Sequence, residues 1–162
     1  MRTIEDVNAR KPPVPLEPDG RWQFMVGTHA DLAAHAATWP THPKTNEQVA
    51  DMLAICRRLF EHTYFVYEFG VVAVVWSVLA VEAALRDRLG EDASDRDGLT
   101  KLIGTAEGRG WFKPHEAEAL RAGAELRNRL VHAQTYGVFT PAMVAGALET
   151  AHLSITQLYA AA

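Results

Sequence analysis

The sequence predicts an all-α protein: an antiparallel, up-and-down bundle of four main helices, with one short extra helix and an irregular N-terminal arm. Three observations carry that prediction. Apolar residues recur at helical spacing, as at Val49, Met52, Leu53, Cys56, Leu59 and Phe60. A thirteen-residue apolar run, Phe69–Val81, lies inside a longer segment without a helix breaker. Strand-like alternation of apolar and polar residues is absent, and there is no internal repeat.

Residues 1–44 form an arm distinct from the bundle of residues 45–162. Five of the eight prolines lie between Pro12 and Pro40, and Asp19-Gly20 reads as a turn. Thr28 as N-cap, with Asp31 three residues on, predicts one short helix over Thr28–Trp39. Trp22, Phe24 and Met25 predict that the arm packs on the rest of the chain. Thr45 with Gln48 reads as a capping box that opens a helix to about Thr63. The next helix runs from about Val66 to Leu89, roughly 36 Å, and closes at Gly90. It is apolar nearly all round, so it belongs at the centre with helices on several sides.

Asp92–Gly98 reads as a charged loop, and Leu99–Glu107 as a short helix ended by Gly108 and Gly110. Pro114 then stands in a first turn, followed by Glu116 and Glu118 near the positive end of the helix dipole. That helix runs to about Ala133. Thr140-Pro141 repeats the device and opens a last helix to about Tyr159, with Met143, Leu148, Ala151, Ile155 and Leu158 facing inward.

Composition narrows the function. The chain has 162 residues, one domain's worth, with 48% hydrophobic and 22% charged residues, as in ordinary soluble globular proteins. The formal net charge of −4 and the pI of about 6.0 argue against a protein that grips long stretches of nucleic acid, so any RNA contact has to be a local patch. The single cysteine, Cys56, allows no intramolecular disulfide and no thiolate zinc site. No apolar stretch near Met1 could serve as a signal peptide, and the apolar run falls short of the ~18 residues of a membrane span. The expectation is a cytoplasmic protein without membrane contact or cofactor. A phosphate-cradling glycine loop, a GxSxG elbow and an HExxH helix are all missing.

One segment can carry chemistry: Ala124–Tyr136, AELRNRLVHAQTY. With Leu126 and Leu130 facing the core, His132 and Asn128, four apart, share the outer face with Arg121 and Glu125. Arg127 falls at the edge of that face, about 140° from His132. Histidine can transfer a proton in either direction near neutral pH, arginine presents a planar fork to phosphate oxygens, and an asparagine beside them can orient an imidazole or a ribose hydroxyl. In RNA the 2′-hydroxyl is a built-in nucleophile, so a base and a cationic clamp suffice without metal. The alternative is an ordinary solvated helix face carrying Arg, Glu and His.

The string closes the penultimate helix of the bundle, after the apolar helix carrying WSVLAVEAALRDRL and before the Thr-Pro-capped last helix. In this it resembles the HEPN superfamily, the higher eukaryotes and prokaryotes nucleotide-binding domains, over residues 45–159. The family motif is Arg, a polar residue, a few more residues, then His. Four residues separate Arg127 from His132 here, Asn128 first among them. The resemblance implies a HEPN-like homodimer with two motif helices facing across a cleft, often a ribonuclease of toxin–antitoxin, antiviral defence or RNA-processing systems. It assigns acid–base catalysis to His132 and phosphate contact to Arg127, with Asn128 in support, and products ending in a 2′,3′-cyclic phosphate. The partners it implies are RNA, a second protomer, and an antitoxin or nucleotidyltransferase-like protein. Some HEPN domains are inactive and only bind or dimerise, which leaves a binding module as the alternative function.

Around the motif, Arg129 and Arg121 would extend a phosphate-binding surface, and Tyr136 could stack on a base or simply pack. Glu82 and Arg86, four apart, suit an ion pair; Glu82 alternatively faces the cleft or pairs with Arg127. His29, Asp31, His35 and His42 match no compact metal-ligand spacing, so no metal site is expected from them. His62 reads as a helix-end residue, His115 as a first-turn residue and His152 as a partly exposed bundle residue.

Overall fold

The computed structural model describes residues 17–22, 27–132 and 139–161, and among them the chain is all-helical, with no strand. Six α-helices follow in order: α1 His29–Ala37, α2 Glu47–His62, α3 Phe69–Leu89, α4 Leu99–Gly108, α5 Pro114–Val131 and α6 Pro141–Ala160.

Local signals account for most boundaries. Thr28 caps α1, its hydroxyl oxygen accepting from the Asp31 N–H and its proton going to the Asp31 carboxylate. Gly90 ends α3 at φ 56°, a left-handed conformation that favours glycine, and a single 3-10 turn, Gly90–Asp92, replaces the start of the predicted loop. Pro114 and Pro141 both sit in first turns; Glu116 accepts from the Lys113 N–H at 2.7 Å, and Thr140 from the Met143 N–H.

Three boundary expectations shift. The cap of α2 is Asn46, one residue after Thr45: its Oδ1 accepts from the Gln48 N–H at 2.9 Å while its Nδ2 donates to Asp87 on α3 at 3.0 Å. That tertiary bond selects Asn46. The long helix starts at Phe69, three residues after Val66, because His62–Phe69 form turns between α2 and α3. Helix α5 ends at Val131, with His132 as its C-cap.

The last helix also corrects one inward residue. Val144, Leu148, Ala151, Ile155 and Leu158 are buried in strict helical register, whereas Met143, one residue out of step, is 56% exposed. His152 departs further. Its ring is fully buried, tilted against Trp39 with centroids 5.3 Å apart, and its Nδ1 lies 3.1 Å from the Pro40 carbonyl. Burial, aided by nearby Arg57, lowers its pKa to about 4, so it sits in the core as neutral imidazole.

Helix α3 is the hub: α2, α4, α5 and α6 all pack on it, as its all-round apolarity demands. By length and composition the segment Phe69–Asp92 passes for a membrane span, with mean hydropathy 1.8, which the thirteen-residue apolar run alone does not. Here its Ala73, Val74, Ala80, Val81, Ala84 and Leu85 side chains are buried against neighbouring helices. Gly70 allows the closest approach: a Cβ there would lie 3.0 Å from Val144 on α6. Helices α5 and α6 both touch α3 yet are not packed along each other. Small residues face the gap on both sides, Ala122 and Gly123 on α5 and Gly146 and Ala147 on α6. They leave an apolar cavity of about 300 Å³ floored by Val74 and Val78.

Two apolar clusters fill the interior. One joins the second half of α3 to α4, α5 and the end of α6. The other joins the first half of α3 to α1, the end of α2, the start of α6, Trp22 and Phe139. Trp22 is buried, as expected for an arm that packs; Phe24 and Met25 lie outside the described residues. Residues 19–21 are pinned at the α2–α3 turn. The Asp19 N–H donates to the Tyr64 carbonyl, and Arg21 pairs with Asp19 and Glu68 while stacking 4.3 Å over Tyr67. Cys56 is buried in this second cluster and its thiol pKa is pushed up to about 12, mainly by desolvation, which leaves it unreactive.

Candidate functional site at the end of α5

Helix α5 is held by two separate apolar faces: Ala117, Leu120 and Ala124 are buried in the first cluster, and the half-buried Leu126 and Leu130 pack against the second. That anchoring fixes the rest of the helix surface. Asn128, Arg129 and His132 are exposed, and Arg127 is half-buried. No hydrogen bond joins Arg127 to His132 among the described residues, in keeping with the wide angle between them.

Arg127 turns towards α3. Its Nη2 donates to Glu82 Oε2 at 3.2 Å, while Arg86 Nη2 donates to Glu82 Oε1 at 3.0 Å. One carboxylate is thus shared by two guanidinium groups, and the triad keeps a net charge of +1. Glu82 and Arg127 side chains are only 21% and 22% exposed, so this charge sits in a partly desolvated setting where electrostatic contacts are stronger than in water. Arg127 Nε is buried without a partner among the described residues. Arg86 has a second duty: it donates to the Ser94 and Asp97 carbonyls and so pins the α3–α4 connection.

The flanking cations are each engaged within the chain. Arg121 pairs with Glu107 on α4, and Arg129 with Glu125 one turn back on α5. The Arg129 pair is exposed on both sides and contributes little to stability. His132 ends the helix with its backbone N–H bonded to the Asn128 carbonyl at 3.0 Å and its side chain exposed. A cationic imidazole there would face the negative pole of the helix dipole. Tyr136 lies outside the described residues.

Chemically, the end of α5 therefore offers an exposed imidazole, an exposed amide and a half-buried guanidinium within six consecutive residues, but spread around the helix. The residues that sequence reasoning underused are on α3: Glu82 sets the orientation of Arg127, and Arg86 holds Glu82. The i,i+4 spacing points to the Glu82–Arg86 pair and the lone carboxylate in an apolar helix to Arg127 as its alternative partner; the structure has both pairs at once. No family model, curated protein or solved structure matches the chain.

Proposed function

We propose that this chain is a homodimeric, metal-independent endoribonuclease of HEPN type, with His132 as the acid–base group, Arg127 as the phosphate clamp and Asn128 in support. The reading takes α2, α3, α5 and α6 as the antiparallel four-helix bundle of that family and puts the ends of two α5 helices across one cleft. In it the ribose 2′-oxygen attacks the adjacent phosphorus and gives its proton to an imidazole. The 5′-oxygen leaves with a proton from the second protomer's imidazole, and the products end in a 2′,3′-cyclic phosphate and a 5′-hydroxyl. A toxin or antiviral defence role, in the cytoplasm and neutralised by an antitoxin or nucleotidyltransferase-like partner, fits that chemistry.

The observation that carries the reading is the shared Glu82 carboxylate. Because Arg86 also holds it, Arg127 can exchange its carboxylate partner for a phosphate without leaving Glu82 unpaired, and the triad retains one positive charge to attract RNA. Exposed His132 and Asn128 add to it, as does Val131, a 60% exposed apolar side chain beside His132 that a second protomer would cover.

The test is labelled RNA incubated with purified protein in EDTA, wild type beside His132→Ala and Arg127→Ala, with product ends analysed. Cleavage to cyclic-phosphate ends, lost in both variants while the dimer persists, is the expected outcome; full cleavage by both variants would sink the proposal. A second reading is a catalytically inactive HEPN-like dimer that binds RNA, a nucleotide or a protein partner. It is favoured by the fact that Arg121, Arg127 and Arg129 each already meet a carboxylate. Saturable RNA binding without products would select it.

A further inference from the structure

Away from the α5 motif residues, the start of α1 meets the end of α2. His29 is the first residue of α1; Glu61 and His62 are the last two of α2. One ligand atom from each of the three lies within 4.8 Å of the other two. Three features mark the cluster as more than a chance meeting of polar groups.

First, His29 Nε2 is buried and has no hydrogen-bond partner among the described residues. The ring is held by Phe65 at 5.2 Å, and it stands edge-on to His62 at 5.5 Å. A buried imidazole nitrogen without a partner is unfavourable and calls for a group to satisfy it. Second, His62 is already set in a ligand-ready form. Its Nδ1 lies 2.9 Å from the Arg58 carbonyl, which can only accept, so Nδ1 carries the proton and Nε2 keeps a free lone pair. An imidazole oriented in this way by a backbone carbonyl is the arrangement that metal-binding histidines use. Third, the pair on α2 lies in its last turn, where the helix dipole presents its negative pole and favours a cation.

We propose that His29, Glu61 and His62 form a binding site for one divalent transition-metal cation of the zinc class, clipping the start of α1 to the end of α2. Two imidazole nitrogens and one carboxylate oxygen select zinc and its neighbours over calcium and magnesium, which prefer all-oxygen sets. Bond lengths of about 2.0–2.2 Å draw the three donors closer than they now lie, within reach of side-chain rotation. Three protein ligands leave a fourth position open, and the exposed His62 puts it on the solvent side. The metal joins the two helices by a link that the apolar packing of Leu32, Ala36 and Phe60 supplements. This site is separate from the α5 terminus, and nothing in the proposed RNA cleavage depends on it.

The experiment is titration of the full chain with Zn²⁺ by calorimetry and with Co²⁺ by visible absorption, after exhaustive chelation and dialysis. Wild type is compared with His29→Gln, Glu61→Gln and His62→Gln, and with His115→Gln as an exposed histidine outside the cluster. The expected result is one equivalent bound, with an absorption band of low-coordinate Co²⁺, weakened at least about tenfold by each cluster substitution and unchanged by His115→Gln. Far-UV circular dichroism verifies that each variant is folded; Glu61→Gln, which leaves the aromatic packing around His29 in place, decides the matter if a histidine variant unfolds. Binding that survives Glu61→Gln and His62→Gln undiminished, or no binding by wild type beyond that of the two variants, would overturn the proposal. RNA cleavage in EDTA reports separately on the α5 site.

Discussion

The end of α5 and the corner between α1 and α2 each bring polar side chains of different helices together, and they differ in how those groups are satisfied. At the end of α5 every arginine has a carboxylate, Arg121 with Glu107, Arg127 with Glu82 and Arg129 with Glu125, and the His132 imidazole and Asn128 amide face water. At the corner no such ion pairs are made: His29 Nε2, like Arg127 Nε, is buried without a partner among the described residues, and His62 is fixed by a carbonyl in the form that leaves a lone pair free. A surface that is already neutralised gains from a partner only by exchange, as when a phosphate displaces a carboxylate. A pocket with an orphaned donor or acceptor gains from a partner outright. The first arrangement suits a transient polyanion, the second a resident ion.

The largest effect expected in separating the two is on RNA cleavage. His132→Ala should lower the cleavage rate by about 10²–10⁴-fold, the usual range for removing a general acid–base group, while leaving Zn²⁺ uptake at its wild-type value. Loss of both properties together would mean that the two regions are one functional unit. Next comes the reverse experiment: His29→Gln should remove most Zn²⁺ affinity and leave cleavage in EDTA at the wild-type rate, measured on the same RNA.

Stability against pH extends the comparison to a third, fully enclosed group. His152 has its pKa lowered to about 4 by burial, whereas in the unfolded chain it titrates near 6.5. Between those values the unfolded chain binds the proton and the folded chain does not. Folding stability is therefore complete above pH 6.5 and falls as the pH drops towards 4, by at most about 3 kcal/mol. Urea denaturation at pH 7 and pH 4.5 measures the slope, and His152→Leu should flatten it.

Smaller effects distinguish the ion pairs themselves. Glu82→Gln leaves the half-buried Arg127 and Arg86 without their shared charge and should cost about 1–3 kcal/mol in urea denaturation. Glu125→Gln, which breaks the exposed pair with Arg129, should stay within about 0.5 kcal/mol. Equal losses for the two would erase the contrast between a partly desolvated triad and a solvated pair.

Much of the architecture was legible in the sequence because it is written in local terms. Thr28, Gly90, Pro114 and Thr140-Pro141 each act on backbone groups within a turn of themselves, and each stands where its chemistry put it. The central position of α3 follows from its lack of a polar face. The exposure of Asn128 and His132 was expected from Leu126 and Leu130 facing the core, yet Asn128 stands one turn beyond buried Ala124 on the same side of α5, and it is exposed because the helix end runs past that packing. Where the reading slipped, a long-range contact had outweighed a local one. Asp87 drew the cap of α2 from Thr45 to Asn46, and Trp39, Pro40 and Arg57 enclosed His152 that helical position alone left half-exposed.

By itself, then, the sequence determined that the chain is helical, where most helices begin and end, and which residue types ride together on α5. Those properties depend on hydrogen bonds and side-chain spacing over three to five residues, and any window of the chain contains them. Tertiary structure alone decided that Arg121 meets Glu107 on α4, that α5 and α6 stand apart over an apolar cavity, and that His29 comes to lie against Glu61 and His62. Those are meetings of residues from different helices, set by how the apolar stripes of α1, α2, α5 and α6 settle on α3, and a side chain's distant neighbours exist only once that packing is complete.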